Sequence, residues 1–201
     1  MIISDRERQA PLKVEEAEVT HLARYDFALN FLNKNLVVLD APCGSGYGSA
    51  HMSKGVKAVY GIDCFSGAID HAREFFDREN TRFVVGDMQD MQDNFKDDFF
   101  NVIVSFEGIE HIGKQVQFLK ESRRVLKKDG KLIISTPRKP QGNPFHTVEF
   151  SYKEFIDFLS KYFEIEKVFG QTYVDFFELT EKNMPKEDVR LNFIVICKNV
   201  K

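Results

Sequence analysis

The feature that most constrains this chain is a regular alternation of short apolar runs with longer amphipathic segments. LVVLDA (36–41), KAVYGID (57–63), TRFVVGD (81–87), FNVIVSFE (100–107) and KLIISTP (131–137) are rich in Val, Ile and Phe. Their nearly continuous apolar character is what strands covered on both faces require. Between them, segments 46–54, 66–79 and 114–128 read as helices. In the last of these, Val116, Leu119, Arg123 and Leu126 keep a three-to-four spacing, and Lys127, Lys128 and Gly130 form a helix C-terminus. Another amphipathic helix, over about 13–33, precedes the first strand. Strand, helix, strand repeated in this way predicts an α/β fold with a doubly wound parallel sheet. The C-terminal third departs from the pattern. SYKEFIDFLSKYF (151–163) reads as a helix with Phe155, Phe158, Leu159 and Tyr162 on one face. FEIEKVFGQ and LNFIVICK (191–198) then read as two strands without a long helix between them, which predicts an antiparallel pair at one edge.

Composition narrows the class. With 201 residues and a net charge of −3, one domain of ordinary size is expected, without the basic excess of a chain that grips nucleic acid by bulk charge. No apolar run approaches the roughly 18 residues of a membrane span, and MIISDRERQA lacks the layout of a signal peptide. Cys43, Cys64 and Cys197 are too few and too scattered for a disulfide framework or a CxxC metal knuckle. A soluble, cytoplasmic protein is expected, with no membrane partner; nothing in the pattern specifies an oligomeric state.

In open α/β sheets ligands bind beyond the carboxyl ends of the strands. The first strand ends in Asp40-Ala41-Pro42-Cys43-Gly44-Ser45-Gly46-Tyr47-Gly48. Such a turn lets a ligand approach the backbone at the start of a helix, although a mere tight turn is also glycine-rich. Dinucleotide binding fits poorly, because Ser49 stands where GxGxxG needs its third glycine and Asp40 would repel a pyrophosphate. The second strand ends at Asp63, nineteen residues after Gly44, where a carboxylate can accept both ribose hydroxyls. The third ends at Asp87-Met88, able to accept from an adenine amino group and to pack on its ring. Three acids at three successive strand ends suit a nucleoside with a cationic amino-acid tail, and S-adenosyl-L-methionine has those parts.

VVLDAPCGSGYGS, VYGID, VVGDM, FNVIVSFEGIEHI and KLIISTP, in this order and spacing, resemble the class I S-adenosylmethionine-dependent methyltransferases over about residues 20–200. The resemblance implies that Asp40, Gly44 and Gly46 hold the methionine part of the cofactor, that Asp63 takes the ribose, and that Asp87 lies at the adenine. Cys64 and Met88, beside those acids, join the cofactor-binding set. It also implies a Rossmann-like sheet of seven strands, ordered 3-2-1-4-5-7-6 with the seventh antiparallel and helices on both faces. The chain would then be a single methyltransferase domain, with a helical cover over about 1–34 and a core over 35–201. The opening segment, with Arg8 and HLARY (21–25), resembles relatives whose N-terminal helix covers the cofactor; Tyr25 belongs to it. A Gly46→Arg change is expected to fill the backbone approach and abolish cofactor binding while sparing the fold.

The acceptor side is read from residues after the fourth and fifth strands. Of five histidines, His21, His51 and His71 fall on helices and read as packing or surface residues. His111 follows the fourth strand and His146 the fifth, so these two are the candidate catalytic bases. Glu107-Gly108-Ile109-Glu110-His111 gives E-x-x-E-H, and with His146 it offers two carboxylates and two imidazoles to a divalent cation such as Mg²⁺ or Mn²⁺. A metal there would replace a dedicated base by acidifying a bound hydroxyl. The pattern, followed by a histidine ahead of Glu149-Phe150, resembles the small-RNA 3′-end 2′-O-methyltransferases, and E-x-x-E-H also resembles the ubiquinone-biosynthesis O-methyltransferases. Glu-His after the fourth strand also occurs in metal-independent members, so base, metal ligand and structural roles all stay open.

STPRKPQGNPFHTVEFSYKEFIDFLSKYFEIEKVFGQ resembles uncharacterised bacterial methyltransferases often associated with glycan assembly. The expected acceptor is therefore a hydroxyl of a small polar metabolite such as a sugar or nucleotide-sugar. RNA ribose 2′-O-methylation and a cofactor-binding module without transfer are the alternatives, and the net charge of −3 disfavours RNA. Arg138 and Lys139 could meet an anionic substrate group or form a solvated loop, and Arg123 to Lys131 reads as a wet helix face. Nine of the 20 phenylalanines lie between Phe145 and Phe193, mostly as core; Phe145, Phe176 and Phe177 are candidate pocket walls.

Overall fold

The computed structural model describes residues 9–201; Arg8 lies outside the described residues. Eight strands form one sheet: β1 (Val37–Asp40), β2 (Ala58–Asp63), β3 (Thr81–Val85), β4 (Phe100–Ser105), β5 (Leu126–Pro137), β6 (Glu164–Thr172), β7 (Asp175–Glu178) and β8 (Asn192–Lys198). Their order is β3-β2-β1-β4-β5-β8-β6-β7. The first five strands run parallel, and β8 is antiparallel to both β5 and β6. The sheet thus has eight strands where seven were expected. The extra one is β7, a four-residue edge strand folded back on β6 through Tyr173 at φ 55°. DFFE is too short and too polar at its ends to announce itself as a strand. Without β7 the order is the expected one, with β8 as the antiparallel strand.

Among the described residues five α-helices cover the sheet: α1 (Val19–Leu29), α2 (Tyr47–Ser53), α3 (Ser66–Phe75), α4 (Gln115–Val125) and α5 (Tyr152–Leu159). The first is shorter than 13–33 because the chain makes a separate 3-10 turn at Val14–Glu16, and the Glu18 carboxylate then caps α1 by accepting from the Thr20 N–H. Helix α4 ends at Val125, not 128, because Leu126 is already extended and pairs with Phe100. Arg124 is not on a wet face: only a fifth of its side chain is exposed, and it binds Glu121, Asp97 and the Phe95 carbonyl.

Strand alternation sends side chains to two cores. Val38, Val102, Val104, Ile133 and Ile194 pack with Ala28, Met52 and Ile69 beneath α1–α3. Leu39, Ile103, Leu132, Ile134 and Phe193 pack with Phe118, Leu119, Phe155 and Leu159 beneath α4 and α5. Each fully buried side chain of this size stabilises the fold by about 1.5–3 kcal/mol in transfer free energy. Most of the phenylalanines are used here. Phe176 stacks on Phe27 with centroids 4.6 Å apart and Phe177 lies over Gly170, so neither forms a pocket wall. No helix among the described residues is long and apolar enough to cross a membrane. With β1–β5 parallel, all five carboxyl ends emerge along one side of the sheet.

Candidate active site

Along that side lies a cleft of about 570 Å³, within the usual range for small-molecule sites. Gly44, Asp63, Cys64, Asp87 and Met88 line one part of it, and Glu107, Glu110, His111, Phe145 and His146 another. The loop after β1 is braced by Asp63, whose two oxygens accept from the Gly44 N–H at 3.1 Å and the Phe65 N–H at 2.9 Å. Both loop glycines are left-handed, with φ 53° at Gly44 and 91° at Gly46. They face different ways. A Cβ on Gly44 would meet nothing within 4 Å, whereas one on Gly46 would lie 2.5 Å from the Ala72 Cβ of α3. Gly44 therefore keeps the cleft open to backbone approach, and Gly46 serves loop-on-helix packing; a side chain at Gly46 would disturb the fold rather than fill the cleft.

Asp40 is not on the cleft surface. It is fully buried, accepting from the Ser49 hydroxyl at 2.6 Å and the Tyr25 hydroxyl at 3.4 Å. Burial pushes its carboxyl up to about 7, against the pull of those two hydrogen bonds. The Tyr25 ring, which lines the cleft, lies against Gly48, where a Cβ would sit 2.0 Å from a ring carbon. Asp87 is exposed and accepts from the Gln89 N–H at 2.8 Å, while Met88 beside it is buried.

After β4 and β5 the geometry is selective. Glu107, at φ 49°, turns to accept from the Ser135 hydroxyl at 3.0 Å, and its other oxygen faces the Asn192 amide at 3.4 Å. Glu110 is 1% exposed and accepts from the Thr136 hydroxyl at 3.1 Å; its Oε1 has no hydrogen-bond partner. Burial first, then the nearby Glu107 charge, hold its carboxyl well above the usual range. Donor atoms of Glu110, His111 and His146 all lie within 4.8 Å of one another, and Glu107 is not part of that group. The four-donor set read from the sequence thus reduces to three, because the left-handed backbone at Glu107 aims its side chain elsewhere.

The two imidazoles are edge-to-face, centroids 4.9 Å apart. His111 Nδ1 donates to the Phe145 carbonyl at 3.2 Å, so its proton-accepting nitrogen is Nε2. At His146 the tautomer is the same, with the proton on Nδ1. The Asn143 Oδ1 accepts from the Phe145 N–H, which turns its amide NH₂ toward His146 Nε2 at 3.2 Å; Nδ1 faces Glu149 at 3.4 Å.

Two residues of the HLARY segment were given no individual role in the cleft by the sequence. His21 lines the cleft, within 3.4 Å of the Tyr47 hydroxyl and 3.2 Å of Glu18. Burial and the neighbouring Arg24 lower its proton affinity. Arg24 is 2% exposed, bonded to Gln171 at 2.9 Å, with Nε unpartnered. That partner is 147 residues away, beyond any local signal. By contrast His51 pairs with Asp26 and His71 is buried against the Pro11 carbonyl, the structural roles expected. Lys139 pairs with Glu154 at 2.5 Å, and Arg138 binds main-chain carbonyls of the segment before β8; neither forms a free basic patch.

Residues 39–134 match the family model described as Methyltransferase domain. The chain is 33% identical over 142 residues to a probable S-adenosylmethionine-dependent methyltransferase of Mycolicibacterium smegmatis, covering 66% of this chain and 54% of that protein. It is 32% identical over 108 residues to a ubiquinone biosynthesis O-methyltransferase of Pelagibacter ubique, covering 53% and 44%. A putative methyltransferase of Haloferax volcanii, solved in complex with the Trm112 methyltransferase activator, shares the fold at a TM-score of 0.76 and 17% identity over 94% of each chain. The fold is that of the class I S-adenosylmethionine-dependent methyltransferases, and the matched domain and relatives are methyltransferases of the same S-adenosylmethionine-dependent kind. The chain spans about half the length of the curated relatives it matches.

Proposed function

We propose that the chain transfers a methyl group from S-adenosylmethionine to a hydroxyl of a small polar acceptor, such as a sugar or nucleotide-sugar. The observation that carries this reading is the cleft itself: an open backbone approach at Gly44, with Asp63 on one side and the His111–His146 pair on the other. When bound, the cofactor supplies an electrophilic methyl on a sulfonium that departs as a neutral thioether. Gly44 admits the ligand to the main chain, Asp63 accepts from ribose hydroxyls, and Met88 with Asp87 borders the base. Tyr25, lying over Gly48 and hydrogen-bonded to Asp40, closes the floor against water. As the acceptor oxygen forms its bond to the methyl carbon, its proton passes to His111 Nε2. His146 Nε2 instead accepts from the Asn143 amide.

A second reading has an observation of its own. The unpartnered Oε1 of buried Glu110, close to both imidazoles, suits a divalent cation such as Mg²⁺ or Mn²⁺ held by Glu110, His111 and His146. Such an ion would acidify a coordinated hydroxyl.

Titration calorimetry with S-adenosylhomocysteine tests the cofactor site, and no detectable binding sinks the proposal. A methyl-transfer screen over sugar nucleotides, catechols, quinone precursors and small RNAs, with and without Mg²⁺ or Mn²⁺, tests the acceptor; methylation confined to RNA would overturn the small-acceptor reading.

A further inference from the structure

The segment between β7 and β8 is irregular apart from one 3-10 turn at Glu181–Asn183, yet its end is held by a dense set of bonds. Arg138, directly after β5, aims its guanidinium at four main-chain carbonyls there: Pro185 at 2.8 Å, Lys186 at 2.7 Å, Glu187 at 3.0 Å and Val189 at 2.5 Å. Its backbone N–H also donates to the Leu191 carbonyl at 2.8 Å. A guanidinium is a rigid planar fork, and committing it to carbonyls of one loop fixes the path of that loop.

What the loop presents is Arg190. This residue is exposed and lines the cleft, and its guanidinium has no hydrogen-bond or ion-pair partner among the described residues. Its place in the sheet identifies the part of the cleft it serves. Asn192, two residues on, starts β8 opposite Pro137 of β5, and its amide faces Glu107 at the end of β4. Asp63 and Asp87 follow β2 and β3, on the far side of β1 and β4 in the strand order. Arg190 therefore stands on the acceptor half, away from the acids of the cofactor half. His21 lies close enough to feel its charge, together with those of Arg24, Glu107 and Glu18.

We infer that Arg190, held in place by Arg138, pairs with an anionic group, carboxylate or phosphate, carried by the methyl acceptor. Arg190 is the acceptor-binding residue and Arg138 a positioning residue. The inference rests on the methyltransferase reading above.

The test uses the full chain saturated with S-adenosylhomocysteine and two matched pairs of probes: catechol against 3,4-dihydroxybenzoate for a carboxylate, and glucose against UDP-glucose for a phosphate. In at least one pair the anionic member is expected to bind about 10- to 100-fold more tightly, the usual worth of a charge-assisted hydrogen bond. Arg190→Gln is expected to remove that preference while leaving the Kd for S-adenosylhomocysteine within about twofold. Arg138→Lys, which keeps the charge but loses the fork, is expected to reduce the preference too, with the neutral probe unaffected; a merely structural role would weaken both members alike. Equal binding of both members in both pairs overturns the inference. So does a preference that survives Arg190→Gln, or an Arg190→Gln variant that loses S-adenosylhomocysteine and so assigns Arg190 to the cofactor. Failure of the unaltered chain to bind S-adenosylhomocysteine refutes the methyltransferase reading instead, and is seen before any probe is added.

Discussion

Replacing Asp40 by Asn tests whether the base of the cofactor loop holds a carboxyl that resists ionisation. Asp40 is fully buried, and burial lifts its carboxyl to about 7 from an ordinary 3.8. The unfolded chain therefore ionises first. Stability contributed by the neutral form is complete below pH 3.8 and is lost as pH rises to about 7. From these two values the loss between pH 5 and pH 8 is about 2.5 kcal/mol, at 1.36 kcal/mol per unit of displacement. Asn keeps an oxygen for the Ser49 hydroxyl and an amide for the Tyr25 oxygen but cannot ionise, so it has no such loss. Urea unfolding of both proteins at pH 5 and pH 8 is the assay. The difference in unfolding free energy between the substituted and unaltered chains is expected to shift by about 2.5 kcal/mol in favour of Asp40→Asn on going to pH 8. Other titrating groups cancel in that comparison. A difference that stays constant with pH refutes the reasoning, since the carboxyl would then ionise in the folded state as easily as in water.

The two loop glycines should separate cofactor binding from folding. Gly44→Asn tolerates the left-handed backbone, puts a side chain into open cleft, and should weaken S-adenosylhomocysteine at least about tenfold with the melting temperature kept. Gly46→Ala meets Ala72 and should cost about 2–3 kcal/mol of stability in denaturant unfolding. His111→Ala should lower kcat by about 10²–10⁴-fold, and His146→Gln by clearly less; the reverse ranking in methyl-transfer assays would make His146 the base. Excess EDTA should leave methyl transfer intact if His111 is the base, whereas loss restored by added Mg²⁺ or Mn²⁺ establishes the ion at Glu110, His111 and His146. Relative to the unaltered chain, Glu110→Gln should gain stability as pH rises, because burial raises the folded-state proton affinity of this carboxyl and Gln does not ionise; urea unfolding at low and high pH checks it.

The strands were legible because each is a local apolar run, and Asp63 and Asp87 were legible because they close such runs, with His111 a few residues beyond one. The sequence pattern missed β7 because four residues with acidic ends carry no period. It grouped Glu107 with Glu110 from spacing alone, and one left-handed residue then turned Glu107 to Ser135 and Asn192. Arg138 illustrates a different limit. Its charge suggested an anionic ligand or solvent, and its partners proved to be the main chain of residues 185–189.

By itself the sequence determined the layering, the parallel strands and the acids at their ends, since apolar periodicity and turn chemistry act within a few residues. Tertiary structure alone decided which glycine opens to the cleft, which carboxylate joins the histidines, and that Arg24, His21 and Arg190 line the same cleft. Those outcomes depend on strand order and on backbone direction at single residues, which bring together groups as far apart as Arg24 and Gln171.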